Sequence, residues 1–312
     1  MNDALIDWLL DADPAIRWQV MRDLLDEPED TVGTERAKVA VEGWGARLLG
    51  LQGSDGNWGG GPWAYQSWMS TMETLMVLRE LGVDPDSPAC RAATSNVREK
   101  SEWGEYHSHA PFFDGESEPC INGRVLACAA YFDRPNEALL ARLLNEQLED
   151  GGWNCDAPES ERSSFNTTIC VLEGLLEHER ATGSADSTRA ARARGQEYLL
   201  ERRLFRSLSS GQAVERDRKS GRDWRELSFP TRWRYDVLWA LDYLRRAAVE
   251  PDDRLSEPLD LLLSRRRGDG TWAIDHVHDG ADHFRMERGA GQASRWVTLR
   301  ALRVLRWAGA ES

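Results

Sequence analysis

The sequence predicts an all-α protein, an (α/α)6 barrel in which six helical hairpins close into a toroid. Three observations predict it. A turn of the form Asp-Gly-x-Trp recurs at Trp58, Trp153 and Trp272, each time after a stretch with apolar residues three and four apart. A second, more uniformly apolar stretch follows each turn, and no alternating apolar–polar run is long enough to make a competing strand. Tryptophan is enriched, with 14 in 312 residues, and it recurs at matching places in the repeats.

The elements follow in order. Residues 1–41 form the first hairpin, from ALIDWLLD and PAIRWQVMRDLLD, with Pro14 suited to the opening turn of the second helix. Five repeat hairpins occupy 42–309. Their turns include LLGLQGSDGNWGG, a degenerate REKSEWGEY around Trp103, LNEQLEDGGWNC and LLSRRRGDGTWAI. In these turns Asp-Gly or Gly-Gly stops the preceding helix, glycine taking the positive φ of a helix end. The second helices are SWMSTMETLMVLRELG, PCINGRVLACAAYF, SFNTTICVLEGLLE, TRWRYDVLWALDYL and SRWVTLRALRVLRWAG. Trp68, Cys120, Phe165, Trp233 and Trp296 fall in one register of these helices, with Ser70, Asn122, Thr167, Tyr235 and Thr298 two positions on. Small polar side chains there suit helix starts. The first helices carry more charge and are expected to face solvent, so the apolar second helices would line the ring. The whole chain, 1–312, reads as one domain.

Composition bounds the function. The 41% apolar content supports a core, and 29% charged residues are ordinary for a soluble chain. A net charge of −14 argues against nucleic acid, whose phosphates demand a basic footprint. It argues equally against an electrostatic grip on anionic lipid. No apolar run approaches a membrane span, which leaves peripheral contact as the only membrane association. The acidic amino terminus is unlike a secretory signal, so the expected location is cytoplasmic. The five cysteines, Cys90, Cys120, Cys128, Cys155 and Cys170, then read as reduced thiols. The arginine excess, 36 against three lysines, reflects a GC-rich or salt-adapted source and is silent on function.

Gln52…Asp55-Gly56-Asn57-Trp58 and Gln147…Asp150-Gly151-Gly152-Trp153 resemble the glutamine–tryptophan repeats of squalene and oxidosqualene cyclases and of protein prenyltransferase β-subunits. The resemblance runs from about Glu42 to the end and is closest to single-domain bacterial members of that superfamily. It implies a central cavity that holds an isoprenoid or related lipid among aromatic side chains. Trp68, Phe165, Trp233, Tyr235 and Trp296, with Phe112, Phe113, Arg124 and Asn166, are the candidates to contact it. Aromatic faces also attract cations, carbocations included. The same rings serve equally well as packing between repeats. The Asp-x-Asp-Asp acid of proton-initiated cyclases and the Asp-Asp-x-x-Asp of ionisation-initiated ones are both missing; Pro251-Asp252-Asp253 reads as a turn.

The prenyltransferase comparison extends to metal. There, zinc is held by an Asp-x-Cys pair at the start of one inner helix and a histidine at the start of the next. Glu118-Pro119-Cys120 stands at the first place, while Asn166-Thr167 stands where the histidine would be. Cys155 can supply a replacement ligand, and so can a loop histidine. The alternative is that Cys120 is a packed thiol and Glu118 a capping acid.

Five of the six histidines fall in two loops, His107 and His109 in one, His276, His278 and His283 in the other, with Asp114, Asp275, Asp279 and Asp282 among them. In a six-fold ring these loops would open on one face and reach toward each other. They are candidates for acid–base work or for a divalent metal, zinc or magnesium, with His276 and His278 as ligands. They are equally candidates for solvated polar lids. The candidate catalytic set is therefore Glu118, Cys120, Asp114, His107, His109 and His283. The function expected is a terpene cyclase- or prenyltransferase-like enzyme. Two alternatives stand beside it: a non-catalytic lipid- or partner-binding toroid, and lanthionine-cyclase-like zinc and thiol chemistry at Cys120 and Cys155.

Overall fold

Residues 3–65, 67–183, 185–214 and 223–310 are described by the computed structural model of the protein. Thirteen α-helices run through them, and the only β-type pairings among the described residues are isolated bridges. The all-α expectation holds.

Side-chain caps open six of the thirteen helices. The first helices are α1 (Asp3–Leu10) and α2 (Pro14–Asp23), and the Asp13 carboxylate accepts from Ala15 N ahead of Pro14. Next come α3 (Glu29–Ala37), α4 (Gly43–Leu49) and α5 (Thr71–Leu81), the last ended by Gly82 in the left-handed region at φ 75°. The Ser87 hydroxyl caps α6 (Pro88–Lys100), whereas Glu118 opens α7 (Pro119–Phe132) without a side-chain cap bond. Asn136 caps α8 (Glu137–Asn145), Ser164 caps α9 (Phe165–Thr182), and α10 (Asp186–Glu201) follows. Asp236 caps α11 (Val237–Arg246), α12 (Ser256–Ser264) comes next, and Ser294 caps α13 (Arg295–Trp307).

The repeats share one hydrogen-bond scheme. The indole N–H of Trp58, Trp153 and Trp272 donates to the carbonyl ten residues earlier, of Leu48, Leu143 and Leu262, at 2.7 Å each time. Their backbone N–H groups donate to the hydroxyls of Thr71, Thr168 and Thr298 at 3.1, 3.0 and 3.0 Å. One tryptophan thus ties the end of a first helix to the start of the second. Gln52 and Gln147 add a tie to the next helix, donating to Ala93 O and Ala191 O at 2.9 and 2.8 Å.

This scheme corrects the register read from the sequence. The structurally equivalent threonines are Thr71 and Thr168, one residue beyond Ser70 and Thr167. Counted from the helix caps, Trp68, Cys120, Phe165, Trp233 and Trp296 lie at four different places, from three residues before the cap to two after it, and only Cys120 and Trp296 coincide. The tryptophan bond alone sets this register, since Thr71 lies one residue past its cap and Thr168 and Thr298 four past theirs, and the aromatic residues follow neither.

The chain, read from its sequence as one domain, divides into two compact units. One unit comprises Ala37–Tyr198 and Asp279–Phe284. In it α5 packs on α7 and α7 on α9, with α4, α6 and α8 outside. The α7–α9 approach is backbone to backbone: a Cβ added at Gly123 would lie 2.6 Å from Cys170 O and from Val171 Cα. On α6 the buried positions Cys90, Ala93, Thr94 and Val97 recur at helical spacing and leave the rest to solvent.

The other unit comprises Met1–Arg36, Leu199–His278 and Arg285–Ser312. Here α13 packs on α11 and also on α2, so the ends of the chain meet. Arg303 Nη1 donates to Gln19 Oε1 at 2.7 Å and to Asp23 Oδ2 at 3.1 Å, and Arg306 Nη1 donates to Asp23 O at 2.8 Å.

Candidate functional site

Glu118, Cys120 and Cys155 converge: a carboxylate oxygen and two sulfurs lie within 4.8 Å of one another. Among the described residues they are the only such group of three potential ligands. Pro119 places Cys120 in the first turn of α7, and the Trp153 turn places Cys155 beside it. The Cys120 thiol donates to Glu118 Oε2 across 3.6 Å, and Cys155 Sγ lies 3.3 Å from the Thr167 hydroxyl. Ser164 Oγ in turn donates to Thr167 Oγ1 at 2.8 Å.

The loop before α7 is held from several sides. Asn122 accepts from Glu116 N at 2.8 Å and donates to Glu116 O at 3.1 Å, and Arg142 donates to Ser117 O at 2.6 Å. The buried Glu116 carboxylate accepts from Glu118 N at 2.6 Å. His107 Nε2 stands 3.4 Å from its other oxygen. Glu116 and Thr167 were not singled out as site residues, because a carboxylate two residues before Glu118 and one more threonine at a helix start carry no distinctive pattern. The Gly115 turn brings Glu116 inward.

The electrostatics keep the Cys120 thiol neutral. A hydrogen bond to Cys155 pushes the Cys120 pKa well up, and burial and the charges of Cys155, Cys170 and Glu118 act the same way. Cys120 is therefore protonated at neutral pH, a poor nucleophile until a cation displaces the proton. Cys128 and Cys170, buried within α7 and α9, are pushed up to about 12, chiefly by burial.

Among the described residues, no other predicted residue joins this trio in a three-ligand group. Within its unit, His283 Nε2 is 3.0 Å from Thr74 Oγ1, and the exposed His109 Nδ1 is 2.9 Å from Glu102. Asp114 is exposed in a short 3-10 turn, where Phe112 stacks on Trp103 and Phe113 meets Phe112 edge-on. In the other unit, the His276 and His278 rings meet edge-on at 5.0 Å, with His276 Nδ1 3.9 Å from Glu226. Neither histidine shares a three-ligand group with the described residues.

The predicted substrate-contacting residues pack on protein groups. Arg124 pairs with Glu73. Trp68 Nε1 donates to Asp279 O at 2.9 Å, Phe165 lies against Tyr198, and Trp296 stacks on Phe229 at 4.5 Å. Tyr235 donates to Leu204 O at 2.6 Å. Trp233 is half-buried under the Arg234 guanidinium, and Asn166 is half-buried on the first turn of α9.

No family model matches the chain, and no curated protein does. Among solved structures it is similar to the type II terpene cyclase MstE from Scytonema in its apo form, at 15% identity over 96% of this chain and 89% of that one, with a TM-score of 0.44. It is similar to a variant of the same cyclase in complex with its substrate geranylgeranyl dihydroxybenzoate, at 14% identity over 96% and 88%, TM-score 0.43. A further variant, in complex with the product merosterolic acid A, is 14% identical over 95% and 87%, TM-score 0.44. No helix among the described residues is long and apolar enough to cross a membrane.

Proposed function

We propose that the protein is an enzyme of the terpene-cyclase and prenyltransferase type, which takes an isoprenoid or related lipid and uses Glu118, Cys120 and Cys155 as its reactive centre. The observation that carries this reading is the convergence of one carboxylate and two thiols from segments 35 residues apart, at the opening of α7. The substrate class rests on the resemblance of the glutamine–tryptophan repeats.

The trio fits zinc better than magnesium. Two sulfurs and one oxygen at this separation suit three corners of a tetrahedron, with the fourth open to substrate. Magnesium prefers an octahedron of oxygens and has little affinity for thiolates. When bound, zinc supplies a Lewis acid and stabilises thiolates. The chain itself supplies orientation: Glu116 fixes the backbone of Glu118, and Thr167 fixes the Cys155 sulfur.

Because the Cys120 proton is held firmly, zinc must displace it, and affinity should rise with pH across the neutral range. The test is metal content after purification and competitive zinc titration at pH 6.5, 7.5 and 8.5, for the native chain, Cys120→Ala and Cys155→Ala. Binding of geranylgeraniol and geranylgeranyl diphosphate is measured alongside. One zinc per chain, lost in either variant, together with isoprenoid binding, supports the proposal. No stoichiometric metal in the native chain removes the zinc centre, and failure of both lipids to bind removes the substrate class.

A further inference from the structure

Arg285, Arg288 and Arg295 line a cavity of about 330 Å³ together with Trp8 and Glu287, all within the unit that holds both chain ends. Several guanidinium groups elsewhere in the chain meet carboxylates, among them Arg17 with Glu35, Arg79 with Glu173, Arg206 with Glu257 and Arg303 with Asp23. Arg285 and Arg288 differ. Both are exposed, and among the described residues no carboxylate lies in ion-pair range of either.

The one acid in the lining lies outside ion-pair range of both. Glu287 Oε1 accepts from Ser294 Oγ and from Trp296 N, each at 2.9 Å, which ties that oxygen to the start of α13. Burial raises its pKa against those hydrogen bonds and the charge of Arg295. Arg295, the first residue of α13, is fixed by donating from Nε to Trp8 O at 3.0 Å, and its guanidinium lies 5.0 Å from the Trp8 ring centre. Its Nη2 reaches only the exposed Asp11, at 3.6 Å.

The geometry points to a binding site for a compact oxyanion, a phosphate or carboxylate group, whose apolar or planar body lies against Trp8. Arginine forks match both groups in bidentate fashion, which is why two uncommitted guanidinium groups beside a fixed one select an oxyanion over a halide. The volume is at the small end of ligand pockets, enough for a head group with a ring and too small for a polymer. The net charge of −14 supplies no long-range attraction for an anion, so recognition is local and weakens with salt. This site does not depend on the Glu118 centre.

Calorimetric titration of the full chain with inorganic phosphate, benzoate and phenyl phosphate tests the proposal, in low and high salt. The native chain is compared with Arg285→Ala/Arg288→Ala, the charge reversal Arg285→Glu/Arg288→Glu, and Trp8→Leu. Exposed arginines are removed without loss of fold, and each variant's melting midpoint confirms it. The expected result is saturable binding of phenyl phosphate or benzoate, weakened at least about tenfold in both arginine double variants. Trp8→Leu should weaken phenyl phosphate more than inorganic phosphate. Preference for benzoate or for phenyl phosphate assigns the head group. Equal affinity in native and double-variant chains, or no probe binding tighter than about 1 mM, overturns the site.

Discussion

Arg124 Nη1 donates to Glu73 Oε1 at 2.7 Å, and each side chain is 1% exposed. The pair joins α7 to α5 inside its unit, where neither ion has water to fall back on. Removing one partner strands the other, which is costlier than removing both. Glu73→Ala is expected to lose about 3–5 kcal/mol of stability, and Glu73→Leu/Arg124→Met much less. Denaturant unfolding of the three chains decides it, since equal losses in single and double variants would show that packing, not charge, governs the position.

The α7–α9 crossing allows no side chain at Gly123. Gly123→Ala should destabilise by about 1–3 kcal/mol or more, because the obstructing atoms are backbone and cannot swing away. Gly33, on exposed α3 with nothing within 4 Å of an added Cβ, is the control. Gly33→Ala is expected to stabilise by about 0.5–1 kcal/mol through helix propensity. Thermal unfolding of both variants gives the contrast, and matching shifts would contradict the close crossing.

The repeat scheme predicts equivalent penalties at equivalent threonines. Thr168→Val and Thr298→Val each leave a buried tryptophan N–H without its acceptor, at a cost of about 1–3 kcal/mol. Thr167→Val, one residue earlier, leaves the Trp153 bond intact and should cost less while disturbing Cys155. If Thr167→Val proved the more destabilising, the register described for α9 would be wrong.

Acid should expose the contribution of Asp23. Burial alone would raise its pKa, but the Arg22 hydrogen bond and the charges of Arg303, Arg22 and Arg245 outweigh that and hold it at about 2. A carboxylate lowered on folding adds stability above its ordinary pKa, and that stability is lost as pH falls from about 4 toward 2. Asp23→Asn is therefore expected to be about 2 kcal/mol less stable than the native chain at pH 7, the gap closing below pH 4. Unfolding curves at pH 7, 4 and 3 measure it, and a gap independent of pH would rule out the charge as its source.

Much of the helical plan was legible because it is local. Pro14 opens α2 and Ser70 stands at the start of α5, both by chemistry that acts within three residues. The tryptophan turns were equally plain, since Asp-Gly ends a helix wherever it stands. The register of the second helices was not. Loops of different length separate Trp58 from Thr71, Trp153 from Thr168 and Trp272 from Thr298, so aligning aromatic residues across them misplaced two threonines by one position.

The candidate site divides in the same way. Glu118 and Cys120 are neighbours in sequence, and their spacing alone suggested a shared site. That Cys155, 35 residues further on, joins them is a contact that no local pattern marks, and His276 and His278 join no such group among the described residues. Arg124 illustrates the reverse case: a cation near a helix start looked free for a ligand, and α5 supplies Glu73 to occupy it.

By itself the sequence determined the helical class, the repeat and its tryptophan turns, because periodicity and capping are short-range properties of the chain. Only the tertiary structure decided which thiols meet, which charges are buried in pairs and which arginines stay uncommitted around Trp8. Those outcomes rest on contacts between residues far apart in sequence, which close packing sets and no local pattern encodes.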